Sequence, residues 1–197
     1  MSQDFSQLIT TKTQVRALLE GSSFHSDDFS LWELARKFIA QAINHPGNIL
    51  DIGCGNGFLL RCLQEWQPNT LTPYGVDTNP EFISQAKNLF SDCPQNFTIL
   101  SVGRLQELSK TGLPNQYDFV YWNVWDNWNF DTSPNVDVFK QALSLVSPKG
   151  RLILGFYHQE KNINLSKIEQ LKNSGFIPQE IEENSSERNE VVCWFEK

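Results

Sequence analysis

The segment Ile49–Leu60 reads ILDIGCGNGFLL. It begins with an apolar run of strand length, continues into a glycine-rich turn and ends in the first turn of an apolar helix. Glycines at such a strand-to-helix turn let the backbone bend sharply and approach a ligand, because no Cβ stands in the way. Open α/β sheets bind ligands at the carboxyl ends of their strands, where this loop must lie. The sequence therefore predicts a ligand site at residues 53–57.

A second segment, residues 74–87, reads YGVDTNPEFISQAK and places Asp77 at the tip of the next predicted strand. An acid there can accept both hydroxyl protons of a ribose. The glycines at 53, 55 and 57 depart from the G-x-G-x-x-G spacing of dinucleotide-binding loops, and Asp51 precedes them. A pyrophosphate gains nothing from Asp51, whereas a ligand carrying an ammonium and a sulfonium gains from a nearby carboxylate. Together these features predict a cationic ligand that contains a nucleoside.

The surrounding pattern predicts the fold. From residue 48 onward, short apolar runs alternate with amphipathic helices, as in βαβ units around a parallel sheet. Helices are predicted over residues 6–20 and 31–43 at the start of the chain and over 166–173 near its end. Strands are predicted over residues 49–52, 72–76, 97–101, 119–123 and 151–157, with helices between them over 58–66, 80–90 and 135–145. Residues 176–182 and 190–196 predict an antiparallel hairpin joined by a polar loop.

Both quoted segments resemble the first two motifs of class I S-adenosylmethionine-dependent methyltransferases. The resemblance continues through QYDFV at residues 116–120, like the family's fourth strand, and ALSLVSPKGRL at residues 142–152, like its helix and turn before the fifth strand. It implies a three-layer, Rossmann-like α/β fold with a mostly parallel sheet, an antiparallel C-terminal hairpin and N-terminal helices. Residues 48–197 would form the core, and residues 1–47 would form a helical lid. The implied cofactor is S-adenosylmethionine.

The resemblance also implies which residues bind the cofactor. The glycine loop would line the methionine part, and Asp77 would hold the ribose. Many family members have an acid after the third strand for the adenine amino group, but this chain reads LSVGR at residues 100–104, so we expect a backbone amide and apolar packing by Val102 instead. The predicted cofactor-binding residues are Asp51, Gly53, Cys54, Gly55, Gly57, Asp77, Thr78, Val102, Gly103 and Asn123.

Residues 121–130, YWNVWDNWNF, concentrate aromatic side chains in the segment that the family places beside the departing methyl group. Strand alternation sends Tyr121 and Asn123 to one face of the sheet and Trp122 to the other. Core packing is the alternative interpretation of Tyr121 and Trp122. Aromatics beyond the strand and on loops often bind ligands by stacking or cation–π attraction. The predicted substrate-pocket residues are Trp125, Trp128, Tyr121 and Phe24.

Three residues are candidate general bases. Asp126 follows the strand tip nearest the predicted methyl group, His158 follows the fifth strand, and His25 lies in the link between the first two helices. The alternative for Asp126 is a turn or helix-capping role, and the alternative for each histidine is an ordinary surface or hydrogen-bonded position. A base is not obligatory, because the cofactor carries its own activation and the protein chiefly supplies alignment and desolvation.

Composition restricts partners and location. The formal net charge of −7 disfavours duplex nucleic acid, whose binding proteins concentrate Lys and Arg. The four cysteines form neither a CxxC pair nor a metal-binding spacing with histidine, so we expect reduced, buried thiols and no metal. The chain shows no basic, apolar leader and no apolar run of bilayer length, which predicts a cytoplasmic protein without membrane contact.

The predicted function is methyl transfer from S-adenosylmethionine to an oxygen or nitrogen atom of a small-molecule acceptor. Residues 123–126 lack the two prolines typical of family members that act on planar exocyclic amino groups, which disfavours such acceptors. The alternatives are a protein or RNA methyltransferase, a non-catalytic cofactor-binding subunit, and an enzyme for aminopropyl transfer from decarboxylated cofactor. The last of these needs acidic residues that bind a polyamine, and the central segment offers only Asp126. The oligomeric state stays open.

Overall fold

The computed structural model describes residues 4–185 and 188–197, in which seven strands form one sheet of order β3-β2-β1-β4-β5-β7-β6. The strands are β1 Gly47–Ile52, β2 Leu71–Asp77, β3 Phe97–Ile99, β4 Tyr117–Val124, β5 Val146–Phe156, β6 Glu180–Glu183 and β7 Val191–Glu196. Strands β1 to β5 pair in parallel, and β7 runs antiparallel to both β5 and β6. The predicted α/β fold, with its antiparallel C-terminal hairpin, is confirmed.

Helices cover both faces of this sheet. They are α1 Phe5–Leu8, α2 Lys12–Glu20, α3 Phe29–Arg36, α4 Phe58–Trp66, α5 Pro80–Leu89, α6 Ser133–Ser144 and α7 Lys161–Asn173. Helix α5 begins where predicted, because the Asn79 side chain accepts a hydrogen bond from the Glu81 amide at 2.9 Å and Pro80 occupies the first helical position. In the part of the chain that the structure describes, no helix has the length and apolar character to cross a bilayer.

The N-terminal helices differ from the prediction of two continuous helices. The helix predicted over residues 6–20 is two helices, because Thr11 and Gln14 form a capping box that starts α2 afresh. The helix predicted over residues 31–43 is α3 followed by a 3-10 helix, Lys37–Ala42. The break lies at Arg36, whose φ of −130° departs from helical geometry. Apolar spacing continues through both breaks, which is why the periodicity did not reveal them.

Other boundaries were also wrong. The third strand ends at Ile99 instead of residue 101, because the Ser101 side chain caps a 3-10 helix, Val102–Thr111. Strand β5 begins five residues earlier than predicted, at Val146, and α7 begins at Lys161 instead of residue 166. Strand β6 is limited to residues 180–183. The loop that follows it includes residues 186 and 187, which lie outside the described residues.

The two faces of the sheet carry separate cores. Trp122 lies in one apolar cluster and Tyr121 in the other, so the predicted alternation along β4 is confirmed. The Tyr121 face is covered by the N-terminal helices and by α4, where Trp32 stacks on Phe58 with ring centres 5.9 Å apart. The residues before β1 therefore pack directly over the strands whose ends carry the glycine loop.

Candidate functional site

A cavity of about 290 Å³ lies at the carboxyl ends of β1, β2 and β4. This volume is close to the lower end of the range of about 300–1,000 Å³ that small-molecule sites occupy. Its walls come from the glycine loop, the tips of β2 and β4, the start of α5 and the N-terminal segment. The lining residues are Ser22, Ser23, Trp32, Arg36, Asp51, Gly53, Cys54, Gly55, Leu59, Asp77, Thr78, Asn79, Phe82, Tyr121, Asn123 and Trp125.

The glycine loop is held in place by backbone hydrogen bonds. The amides of Gly53 and Cys54 both donate to the Val76 carbonyl oxygen, at 2.8 and 3.0 Å. Gly53 has a φ of +80° and open space where a Cβ would stand, whereas a Cβ on Gly55, with a φ of +54°, would overlap the Gly21 carbonyl oxygen. Glycine is therefore required at both positions, at Gly53 by the backbone angle and at Gly55 also by the close approach of the N-terminal segment.

Asp51 is a buried acid in the wall of the cavity. Its side chain lines the cavity and is 2% exposed, and Oδ1 has no hydrogen-bond donor among the described residues. Burial, and secondarily the charge of Asp77, raise the pKa of Asp51 to about 8. An unpartnered carboxylate is costly to bury. A cationic group in the cavity would relieve that cost, as the sequence predicted for a ligand with an ammonium or a sulfonium.

Asp77 connects the tips of two strands. Its Oδ2 accepts a hydrogen bond from the Gly55 amide at 2.9 Å, and its Oδ1 accepts one from the Asn79 amide at 2.8 Å. Each carboxylate oxygen can accept a further hydrogen bond. The half-buried carboxylate also lines the cavity, so it can receive the hydroxyl protons of a ribose while it holds the glycine loop.

Beyond Asp77 the cavity adjoins a second one of about 350 Å³. Thr78 lines both, and Ile99, Leu100 and Ser101 line the second. Val102 is buried in the core and Gly103 is exposed, and neither residue lines either cavity. On the β3 side the structure therefore brings Thr78 to the site, whereas the predicted cofactor contacts Val102 and Gly103 lie outside it. Gly57 likewise lies outside the lining, at the start of α4.

The aromatic segment divides between site and core. Tyr121, Asn123 and Trp125 line the central cavity, and Trp125 is 46% exposed. Trp128 does not line it and packs edge-on against Trp122, with ring centres 5.5 Å apart. Phe24 also lies outside the lining, edge-on to a residue that does belong to it, Trp32, at 5.4 Å.

None of the three predicted bases lines the central cavity. Asp126 is exposed, and its carbonyl oxygen accepts a hydrogen bond from the Lys167 ammonium at 3.1 Å. His158 lines a different cavity, and its Nδ1 accepts a hydrogen bond from the Glu160 amide at 3.0 Å. His25 is exposed in the link before α3. The catalytic role of each stays a prediction that its position in the structure does not favour.

Sequence reasoning missed the residues that join the N-terminal segment to the site. Asn56, inside the glycine loop, donates to the Leu18 carbonyl oxygen at 2.9 Å and accepts from the Ser22 hydroxyl at 2.9 Å. Its amide donates to the Gly21 carbonyl oxygen at 3.0 Å. The only local signal was a polar residue among glycines. These contacts place part of the predicted lid against the loop.

Arg36 was also missed. It is 7% exposed, lines the cavity, and its guanidinium carbon lies 3.6 Å from the centre of the Tyr157 ring. The Tyr157 hydroxyl shares a 2.6 Å hydrogen bond with the Tyr121 hydroxyl. In the sequence Arg36 stands beside Lys37 at the end of an amphipathic helix, which is the usual place of a solvent-exposed basic residue.

The sheet order, the glycine loop after β1 and the acid at the tip of β2 define a Rossmann-like nucleoside-binding protein. A family model described as a methyltransferase domain matches residues 49–150. The chain belongs to this family of methyltransferase domains, and its resemblance to class I S-adenosylmethionine-dependent methyltransferases is confirmed. Family and fold imply S-adenosylmethionine as the methyl donor.

Similar proteins include two curated methyltransferases. The chain is 28% identical over 111 residues to the malonyl-acyl-carrier-protein O-methyltransferase of Anoxybacillus flavithermus, covering 56% of this chain and 39% of that protein. It is 33% identical over 111 residues to the methyltransferase adrK of Penicillium rubens, covering 54% and 39%. The match thus spans about two-fifths of the length of each. An O-methyltransferase family protein from Burkholderia thailandensis shares the fold, with a TM-score of 0.61 and 14% identity over 96% of this chain and 61% of that one.

Proposed function

We propose that the protein transfers the methyl group of S-adenosylmethionine to an oxygen or nitrogen atom of a small-molecule acceptor. The observation that carries this proposal is Asp51, a buried carboxylate with an unpartnered oxygen in a cavity beside the glycine loop. S-adenosylmethionine combines two cationic groups with a ribose, and Asp77 stands one strand away to receive the ribose.

The residues around the cavity fit this cofactor. The glycine loop and Asp51 would hold the methionine part, Asp77 the ribose, and the surface of Thr78 and Ile99 the adenine. Ile99 is 54% exposed in the second cavity, which supplies the apolar surface that an adenine ring needs. When bound, the cofactor supplies a methyl group on a cationic sulfur, which is already activated for transfer.

The chain contributes alignment and exclusion of water. Ser22, Ser23 and Trp32 wall the cavity from the N-terminal side, and Asn123 and Trp125 wall it at the tip of β4. Holding two reactants in line lowers the barrier through entropy already lost on binding. This enclosure favours a small acceptor, and the net charge of −7 further disfavours a nucleic acid. An oxygen acceptor agrees with the name of the similar O-methyltransferase of Anoxybacillus flavithermus.

The test is transfer of isotopically labelled methyl from S-adenosylmethionine into two fractions of a cell extract, metabolites and macromolecules. We expect label in the metabolite fraction, identified by mass spectrometry. Label in protein or RNA would show that the acceptor is a macromolecule and would leave the assignment as a methyltransferase intact. No label in either fraction, with cofactor binding intact by calorimetry, would indicate a non-catalytic binding subunit instead.

A further inference from the structure

Arg36 is a buried cation in the wall of the cavity and forms no ion pair within residues 4–185 and 188–197. Its one hydrogen bond within the described residues joins Nη1 to the Ala35 carbonyl oxygen, at 3.1 Å. The aromatic rings of Tyr157 and Trp32 stand 3.6 and 5.2 Å from its guanidinium carbon. Cation–π contacts offset part of the cost of burying a charge but supply no hydrogen-bond acceptor. The remaining guanidinium donors are therefore available to a ligand.

Arg36 lines the same cavity as the predicted cofactor contacts but approaches it from the side of β5. Tyr157, on which it stacks, follows β5, whereas the glycine loop follows β1, and β4 lies between these two strands. With neighbouring strands about 4.8 Å apart, this is a separation of about 10 Å across the sheet. Glu190, an acid whose charge affects the pKa of Tyr157, is already paired with Arg188 at 2.6 Å. Asp51 and Asp77 thus come to the cavity from β1 and β2, whereas Arg36 reaches it beside Tyr157, which follows β5.

Under the proposed function Asp51 and Asp77 hold the cofactor, and the other titratable acids of the described cavity wall are poor proton acceptors. Burial raises the pKa of the Tyr121 phenol and of the Cys54 thiol well above their ordinary values. Asp51 lies opposite Tyr121 in the sheet. Burial, and to a lesser extent the charge of Asp51, raises the pKa of Tyr157, so this acid acts on the Arg36 side of the cavity as well. A nucleophile that arrives without its proton needs no base. Carboxylates meet this condition at neutral pH, because their pKa is about 4.

We propose that Arg36 binds a carboxylate of the acceptor and that this carboxylate is the group methylated, so that the product is a methyl ester. This inference rests on the proposed function and names its acceptor class. A lone pair of the carboxylate oxygen forms the new O–C bond to the methyl group. The methyl C–S bond breaks, its electron pair stays on sulfur, and a neutral thioether leaves. No proton is released, which agrees with a cavity whose two carboxyl groups are assigned to the cofactor.

A binding experiment separates the acceptor carboxylate from the carboxylate of the cofactor. Calorimetry measures the affinity of S-adenosylhomocysteine, which has a methionine-like carboxylate, and of 5′-methylthioadenosine, which lacks it. We expect Arg36→Gln to change both affinities by no more than about twofold. A loss of about tenfold or more for S-adenosylhomocysteine alone would overturn the proposal, because Arg36 would then bind the cofactor itself. Lys37→Gln is the matched control, since Lys37 is exposed and lies outside this cavity.

An activity experiment identifies the bond that is formed. Labelled products from the metabolite fraction are treated with mild alkali, which hydrolyses methyl esters to volatile methanol and leaves methyl ethers and N-methyl groups intact. We expect wild-type label to be released as methanol and Arg36→Gln to lower its formation by at least about tenfold, with Arg36→Lys in between. Arg36→Lys carries the test if thermal melting shows that the glutamine variant is unfolded.

The outcomes distinguish the two proposals. Label that resists alkali would overturn the carboxylate proposal and leave methyl transfer intact. Equal methyl ester formation by wild type and both Arg36 variants would show that Arg36 does not bind the acceptor. No label in any fraction would overturn the proposed function, and the carboxylate proposal with it.

Discussion

Replacement of Asp51 by asparagine tests whether cofactor binding is coupled to the charge of a buried acid. Because the pKa of Asp51 in the free protein is about 8, this carboxyl is mostly protonated at neutral pH. A cationic ligand favours the carboxylate, so binding below this pKa must release a proton. The affinity of the wild type for S-adenosylmethionine should therefore rise about tenfold per pH unit up to the pKa and then level off.

Calorimetry in buffers of different ionisation enthalpy measures the released protons directly. We expect the wild type to release close to one proton more than Asp51→Asn at a pH below the pKa of Asp51, and a difference that fades above it. Protons from the ligand's own ammonium are common to both proteins and cancel. Identical proton release and identical pH profiles for the two proteins would refute the assignment of Asp51 as the coupled group.

The same substitution affects stability with a defined sign. The folded-state pKa of Asp51, about 8, is above its ordinary value of 3.8, so the folded state binds the proton more tightly than the unfolded chain. Stability present at low pH is therefore lost as the pH rises between these two values. At about 1.4 kcal/mol per pH unit, a rise of about two pH units within this range lowers the free energy of unfolding of the wild type by at most about 3 kcal/mol. The free energy of unfolding of Asp51→Asn, measured in urea, should therefore increase relative to wild type by up to that amount. An advantage that does not grow with pH would contradict the raised pKa.

Three further predictions concern the loop and its supports. Asp77→Ala should weaken S-adenosylmethionine binding by at least about 1 kcal/mol in calorimetry, because ribose hydrogen bonds to a charged group are lost; unchanged affinity would argue against the assignment. Gly21→Ala should lower the free energy of unfolding by about 1–3 kcal/mol, since the new methyl would overlap the Asn56 side chain, whereas Gly103→Ala, with its nearest atom 3.9 Å away, serves as the tolerated control. Asn56→Ala should lower stability by about 1–3 kcal/mol and raise protease sensitivity near residue 22, because buried partners lose their hydrogen bonds; equal digestion of variant and wild type would count against a lid held by Asn56.

The parts of the site that lie close together in sequence could be predicted. Asp51 and the glycine loop belong to one strand, turn and helix, and the turn has glycine at each of its positions with a positive φ, residues 53, 55 and 57. Asp77 ends the next strand, and parallel strands bring their carboxyl ends to one edge. The alternation of Tyr121 and Trp122 also follows from the two-residue repeat of a strand. Local geometry decided each of these positions.

The directions of side chains beyond the strand ends could not be predicted. Asp126 follows the tip of β4 as expected, but the Lys167 ammonium, from a helix about 40 residues later, holds the backbone carbonyls of residues 125 and 126. His158 follows β5 as expected, yet its ring caps the local backbone at Glu160 and lines a different cavity. Position along a strand limits where a residue lies, while contacts with distant elements decide where its side chain points.

By itself, the sequence determined the α/β fold class, the glycine loop and the two acids, because strand and helix periods and turn chemistry are local properties of the chain, and the family resemblance added the methyltransferase assignment. Only the tertiary structure decided that Arg36 is buried on Tyr157 and that Asn56 binds the N-terminal segment. Arg36 and Tyr157 are separated by more than a hundred positions in the sequence, and Arg36 becomes buried only when α3 packs on the sheet. No local pattern encodes that contact, because the sequence around a helical arginine does not distinguish a solvent-exposed side chain from one in a cavity wall.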